Sequence, residues 1–454
     1  MDGGSETTST TSPVTTTSEE TAEPGTQTGT SGDSSSTTGT VGPQCDAAEG
    51  VDNDKCVDPA APYCDDEGAC VGCDALDCAA VSGETPACGP AGACVQCTAE
   101  VAEACAGDTP ICDEVTSTCT GCKDHAACPS GACDLVTDAC FESILYVDRA
   151  ASCAGDGSSE APFCEIQDAV ATVSAAEPTV VRVKPSPTPY SKAVVVGTNH
   201  KVAIVRDGNN TTKLEVDGLD SVVINDGATV YLQNLQISKG EVNKGILCLA
   251  GEVWLERTSI VDRKGIGIEG IDCQINLRQS RIYLNLGGGL KLNGGGVSLV
   301  NSFIVSNGGS FSAVAGVTLT NKATLSALYS TFADNDGKVG VEDSLECAGQ
   351  GEVALRNSIL FGQSDTTSVD CAGATATTSV FDSAMLTGRG NMVIKAINPG
   401  WFVSPATGNF SITPDAPFKD VAVWRVGDPT GDYDGDLRPS DDGAADYVGA
   451  DRPK

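Results

Sequence analysis

Between Val230 and Leu360 the chain repeats one phrase six times, apolar-x-apolar-x-x-small-x-apolar, at Val230–Ile237, Val253–Ile260, Ile275–Ile282, Val297–Ile304, Leu325–Phe332 and Val353–Leu360. Their starts lie 23, 22, 22, 28 and 28 residues apart. Alternation of apolar and polar side chains marks a half-buried strand, and its return at a near-constant interval marks a stack of equivalent chain turns. The pattern therefore predicts an all-β solenoid, a parallel β-helix with one coil per phrase, strands ~4.8 Å apart and equivalent residues directly above one another.

Stacking makes columns as well as strands. Three residues past the last apolar position of successive phrases stand Arg263, Asn285, Asn307, Asn335 and Gln363. Amides repeated at one turn satisfy backbone groups there, so Asn285, Asn307 and Asn335 are read as a structural ladder before a binding site. Asn234, Gln279, Asn301 and Asn357 receive the same reading, and Glu256 with Arg278 makes a surface pair of adjacent coils. Cys248 and Cys273 are 25 residues apart, Cys347 and Cys371 are 24 apart, and each follows an apolar residue by two. Neighbouring coils bring both pairs within disulfide range, so Cys248–Cys273 and Cys347–Cys371 bridges are expected. Cys153 and Cys164 are expected to close a short loop.

Upstream the pattern changes. Sixteen of the 22 cysteines lie between Cys45 and Cys140, in four groups of four that repeat at roughly 24 residues. The phrase Pro62-Tyr63-Cys64 to Cys70-Val71-Gly72-Cys73 returns at Pro86 and Pro110, each copy reading as a short hairpin with cysteines at its ends. The pairs Cys70/Cys73, Cys94/Cys97 and Cys119/Cys122 have zinc-knuckle spacing. Even numbers in each unit, few large apolar residues and scarce histidine favour disulfides, with pairing inside each unit and three connectivities open. His125 is expected to be exposed rather than a ligand.

The first 40 positions hold 22 Ser or Thr and no Lys, Arg or aromatic residue. Such a segment buries nothing that offsets its backbone entropy, which predicts a disordered stalk over 1–43, ahead of a cysteine-rich domain over 44–141 and a β-helix domain over 142–454. Across the chain, 62 Asp and Glu against 27 Lys and Arg leave a net charge of -35, which argues against nucleic acid or an anionic bilayer as partner. No apolar run reaches the ~18 residues of a membrane span. Met1-Asp2-Gly3-Gly4 lacks a signal peptide, yet the cysteines require an oxidising compartment. The expectation is an extracellular or outer-membrane-associated chain whose export signal has been removed.

Three resemblances bear on this reading. The Ser/Thr-rich start resembles the tether of myxobacterial surface lipoproteins, which implies a lipid anchor in the native precursor, although no lipobox cysteine is present. The cysteine units resemble short modules of deltaproteobacterial surface proteins, which carry no assigned activity. Leu145-Tyr146-Val147-Asp148, Gly155-Asp156-Gly157 and Ala161 to Val170 resemble the N-terminal cap of pectin lyase-like right-handed parallel β-helix proteins. That resemblance implies a right-handed β-helix plugged by an amphipathic helix, here with Ile166, Ala169, Val170 and Val173 as its apolar stripe. Pro399-Gly400-Trp401-Phe402, Asp432 to Pro439 and Asp446 to Asp451 resemble the closing segment of exported bacterial β-helix proteins.

Pectin-degrading relatives use paired aspartates, or aspartate-bound calcium with a basic residue, and no such series stands on consecutive coils here. The best residual catalytic cluster is Asp334, Asp336 and Lys338, with Asp262, Arg263 and Lys264 about three coils below; solvated turns explain it better. His200 is read as structural. Asp432, Asp434 and Asp436 alternate around a turn and are candidate calcium ligands, but Leu437 and Gly443 stand where an EF-hand needs Gly and Glu. Arg438 beside them suggests a charge-paired terminal turn instead. The leading expectation is a noncatalytic surface protein that displays a β-helix to a glycan or a protein. The alternative is a secreted lyase or hydrolase acting on an acidic polysaccharide.

Overall fold

The structure is a computed structural model that describes residues 45, 56–107, 109–241, 243–338, 344–349, 351–362, 368–382, 386–395 and 397–454. The expected stalk and Gln363 lie outside the described residues. The chain divides between Gly72 and Cys73 into two compact units. In the first, Cys45–Cys64 and Cys56–Cys70 clamp an antiparallel hairpin of Tyr63–Cys64 and Cys70–Val71.

The second opens with three further cysteine units bonded in the same order. Cys73–Cys88 and Cys78–Cys94, Cys97–Cys112 and Cys105–Cys119, and Cys122–Cys133 and Cys128–Cys140 each join first to third and second to fourth cysteine. The CxxC spacing falls across unit boundaries, so the two sulfurs of a CxxC belong to different disulfides. His125 is buried rather than exposed, with 5 % of its surface accessible. It is covered because the fourth unit docks on the β-helix, a contact that sequence spacing does not reveal.

From Ser143 the chain winds into stacked parallel coils. A sixteen-stranded sheet carries two ranks of strands that merge where Ile268–Arg278 and Leu290–Val300 run across both, and a nine-stranded sheet closes the third side. The phrases found in the sequence stack in register: Val230 on Val253, Val253 on Ile275, Ile275 on Val297, Val297 on Leu325 and Leu325 on Val353. Their apolar positions point inward and form one continuous core. The fold is thus a parallel β-helix, all-β apart from short helical turns. A five-residue helix, Ile166–Val170, buries Ile166, Ala169 and Val170 against that core at its N-terminal end.

Two ladders of polar side chains run through the interior. Thr258, Ser280, Ser302, Ser330, Ser358 and Ser379 are fully buried at the small position of successive coils. The backbone N–H of each donates to the hydroxyl of the next, from Thr258 N to Ser280 Oγ at 3.1 Å through Ser358 N to Ser379 Oγ at 3.1 Å. Asn285 Nδ2 donates to Asn307 Oδ1 at 2.9 Å, and Asn307 Nδ2 donates to Asn335 Oδ1 at 3.1 Å. The same amides donate to Ile260, Ile282 and Ile304 carbonyls. Buried backbone groups at a sharp bend have no ladder partner, and these side chains supply one.

The bend preceding each small position is a single left-handed residue, with φ from 46° to 56° at Asn234, Arg257, Gln279, Asn301, Tyr329, Asn357 and Thr378. Asparagine tolerates that conformation best among residues with a side chain, which explains its recurrence there. Gln279, Asn301 and Asn357 do not stack on one another. They turn outward and donate to the Asp432, Gly431 and Val423 carbonyls, so they hold the closing segment against the coils.

Cys347 bonds Cys371 with Cα atoms 4.8 Å apart, one strand spacing. Cys248 also bonds Cys273, at 6.1 Å, but it is Gly270 that lies in register above Cys248. Cys273 stands three positions further on, beyond a left-handed Asp272, and its own partner in register is Gly295. A side chain at Gly295 would meet the Cys273 carbonyl at 2.1 Å, which accounts for glycine there. Cys153 bonds Cys164.

Candidate functional site

The outer face of one rank carries a recess. Tyr231, Trp254, Asn276, Ser298, Ser326 and Ala354 form one outward column on successive strands, and Glu252, Gln274, Gly296 and Thr324 form the next. Beyond Trp254 the side chains become short, so the floor drops into an open trough of about 390 Å³ lined by Gln274, Asn276, Ser298, Thr324, Ser326 and Glu352. Its chemistry is that of hydroxyls and amides, with one carboxylate at the far end. None of its lining residues is basic.

The fourth cysteine unit packs on Tyr231 and Trp254, on the two strands that precede the trough. Tyr231 is fully buried between Phe141 and His125, both edge-on at centroid distances of 5.7 and 5.4 Å, and it stacks on Trp254 at 6.0 Å. Its hydroxyl donates to Asp134 Oδ1 at 2.8 Å and accepts the Leu135 N–H at 3.1 Å. Lys201 Nζ donates to Asp134 Oδ2 at 2.6 Å. Burial alone would push Asp134 up, but hydrogen bonds from Lys201, Tyr231, Thr137 and Val136 outweigh it and hold the carboxyl below the usual aspartate range. Arg182 ties the same unit down through the Pro129 and Ser130 carbonyls.

His125 lies at this junction. Its Nδ1 accepts the Cys133 N–H at 3.0 Å, which leaves the proton of the neutral ring on Nε2, 3.7 Å from Glu256 Oε2. Burial, and secondarily Arg278, push the imidazole down to about 4, against the opposing pull of Asp124. Glu256 lies in register with Arg278, and burial raises its carboxyl. Burial also raises Glu252, whose Oε1 accepts from Trp254 Nε1 at 2.9 Å and Asn276 Nδ2 at 3.3 Å.

Two carboxyl groups that cooperate across a glycosidic bond stand about 5–9.5 Å apart. Glu252 and Glu352 lie at opposite ends of four strand spacings, ~19 Å. Asp262 and Asp334 occupy one column with Leu284 and Ser306 between them, three spacings or ~14 Å apart. Both are left-handed turn residues, with φ of 55° and 53°. Asp334 accepts the Ser306 hydroxyl at 2.9 Å, Asp336 bridges to Gly308 through its backbone, and Lys338 N donates to the Ser312 carbonyl. Arg263, fully buried, extends the asparagine column downward and donates to Ser221 Oγ and the Lys244 carbonyl, while Lys264 pairs with Glu241 at 2.7 Å. These residues form turns and pairs of the scaffold. His200 is likewise held between the Thr198 and Val173 carbonyls.

Asp432, Asp434 and Asp436 do not converge on a common point. Asp432 Oδ1 accepts the N–H groups of Asp434, Gly435 and Asp436 at 3.1, 3.0 and 2.8 Å, and Oδ2 accepts that of Arg452 at 2.9 Å. Asp434 pairs with Lys454 at 2.8 Å. Among the described residues, the groups of three with metal-ligand spacing are all cysteines already in disulfides. The expected pairing of Arg438 with this turn gives way to a different partner. Arg438 is buried against Asp446 at 2.9 Å, lies 3.8 Å from the Tyr329 ring centroid and donates to Asn301 Oδ1, because the chain returns to the coils at Asp446.

The molecule is therefore a β-helix protein carrying disulfide-crosslinked units, one of which is docked on an outer face. Residues 16–145 match a family of unknown function, DUF8331. No curated protein matches the chain in sequence. Among solved structures, it is similar to pectate lyase Pel9A, at 16 % identity over 69 % of this chain and 97 % of that one, with a TM-score of 0.44. It is also similar to an alginate lyase from Paenibacillus sp. str. FPU-7, at 14 % identity, 51 % and 93 % coverage and a TM-score of 0.27. A rhamnogalacturonan lyase is similar at 10 % identity, 67 % and 96 % coverage and a TM-score of 0.32. Likeness at this level does not extend to activity or substrate. Eleven disulfides and no free cysteine among the described residues fit an oxidising, extracellular compartment. No described helix is long and apolar enough to cross a membrane.

Proposed function

We propose that this is a noncatalytic surface protein whose β-helix binds a neutral glycan in the trough beside Trp254. The observation that carries the reading is the lining: Gln274, Asn276, Ser298, Thr324 and Ser326 offer paired donors and acceptors to sugar hydroxyls, while no basic residue and no pair of carboxylates is present to support lyase or hydrolase chemistry. A basic strip flanked by exposed aromatics would favour an acidic polymer instead, and the trough has no such strip. The Ser/Thr-rich segment serves as a stalk at the cell surface, with a lipid tether in the precursor.

The test is a screen of soluble neutral and acidic glycans against the whole chain, with and without calcium, reading binding and product together. Binding of neutral oligosaccharides that Ser298→Trp abolishes supports the reading. Cleavage of an acidic polymer sinks it.

A further inference from the structure

The outward column that floors the trough begins among apolar side chains. Val180, Ala203, Tyr231 and Trp254 follow one another in register and lead to Asn276. The first three are fully buried and pack with Ala132 and Phe141, whereas Trp254 keeps part of its surface accessible. Its indole lies within 19° of the Tyr231 ring plane, so Tyr231 backs one face from the preceding strand. Nε1 donates to Glu252 Oε1 at 2.9 Å, which fixes how the ring is turned. The opposite face looks toward the following strand. There Asn276 is the smaller side chain, and its amide is drawn to the same Glu252 oxygen, in the neighbouring column.

That neighbouring column supplies polar groups further along. Gly296 stands in register between Gln274 and Thr324, both exposed. Gln274 Oε1 and Thr324 Oγ1 lie 2.7 and 2.9 Å from the point a Cβ on Gly296 would occupy, so the gap left by the missing side chain is flanked by an amide and a hydroxyl. Glycine is needed there for depth. A rigid aromatic face and a convergent polar pair thus stand about two strand spacings apart, ~10 Å.

Given the reading of the trough as a neutral-glycan site, on which this rests, we propose that Trp254 is its stacking wall and that the ligand is a β-linked pyranose chain with equatorial hydroxyls, of the β-glucan or β-xylan class. The negative face of an aromatic ring attracts the positive edge of C–H bonds. In an all-equatorial pyranose the axial positions carry only hydrogen, so both flat faces are C–H surfaces and the hydroxyls radiate in the ring plane. Successive rings of a β-1,4 chain turn over, and only a sugar with two such faces offers one to the indole at every residue. A ring laid on Trp254 occupies the space over Asn276, one strand spacing of ~4.8 Å along the column. Its in-plane hydroxyls then meet Asn276, Gln274 and Ser298, which donate and accept.

Cellotetraose and xylotetraose, titrated into the whole chain and its variants by calorimetry and followed by proton NMR of the sugar, test this. The parent chain is expected to bind with the C–H protons of one ring shifted upfield by the indole ring current. Trp254→Ala is expected to weaken binding about tenfold, and Trp254→Phe to restore most of the affinity with a smaller shift. Affinity unchanged in Trp254→Ala but lost in Ser298→Trp overturns the stacking wall and leaves the neutral-glycan reading standing. Failure of both sugars to bind the parent overturns the assigned class; failure of every neutral oligosaccharide overturns the glycan reading with it. Should Trp254→Ala fail to fold, the parent and Trp254→Phe decide, because an upfield shift that is absent from the parent or undiminished in Trp254→Phe overturns the proposal.

Discussion

Replacing Asn307 by alanine removes the middle rung of the buried asparagine ladder. Its side chain takes part in four hydrogen bonds: it donates to Asn335 Oδ1 and the Ile282 carbonyl, and it accepts from the Asn285 backbone N–H and Asn285 Nδ2. All three asparagines have at most 1 % of their surface exposed, so water does not reach the groups left behind. At about 1 kcal/mol net for each bond, with an orphaned Asn285 N–H adding its desolvation, the loss comes to about 3–5 kcal/mol. Urea unfolding followed by circular dichroism, with disulfides intact, measures it. Ser326→Ala on the exposed face is the control and is expected to stay within about 0.5 kcal/mol of the parent. A loss under about 1 kcal/mol for Asn307→Ala would refute the claim that the ladder satisfies the bend.

Three further outcomes follow from the same geometry. Tyr231→Phe deletes the hydroxyl between Asp134 and Leu135 and is expected to cost about 1–3 kcal/mol, read as faster proteolysis at the fourth cysteine unit; unchanged cleavage contradicts the docking. His125 is held to about 4, below its free value of ~6.5, so the neutral ring contributes stability above pH ~6.5 that is lost as pH falls toward about 4, on the order of 2–3 kcal/mol. His125→Asn is expected to remove that dependence, and an imidazole that titrates by NMR near the free value would rule it out. Replacing both Cys347 and Cys371 by serine opens a loop of sequence separation 24 and is expected to lower stability by about 3 kcal/mol, checked by thermal unfolding of oxidised protein.

The solenoid was legible because its signal is repeated: Val230, Val253, Ile275, Val297, Leu325 and Val353 each stack on the next, and one slip would turn every apolar residue outward. The small position in the phrase also held more than space, since Ser280, Ser302 and Ser330 pass hydrogen bonds from coil to coil. Local spacing was less informative where the partner comes from elsewhere. Asp134 and Tyr231 meet across 97 residues, and Asp432 meets Arg452 across 20, so neither the docking of the fourth unit nor the caged aspartate follows from periodicity. Cys248 and Cys273 show a subtler limit, since a left-handed Asp272 brings their sulfurs together from positions out of register.

The trough itself came from side-chain size. In the column Trp254, Asn276, Ser298, Ser326 and Ala354, each outward residue is unremarkable alone, and only stacking turns their shrinking volumes into a recess. The central claim is that this recess binds a neutral glycan and performs no chemistry on it. Titrating neutral oligosaccharides into the whole chain and its Ser298→Trp variant by calorimetry, with the recovered sugar analysed for cleavage, tests it most directly. The account predicts saturable binding that the variant loses, with the sugar recovered intact; binding indifferent to Ser298→Trp, or a cleaved product, would contradict it.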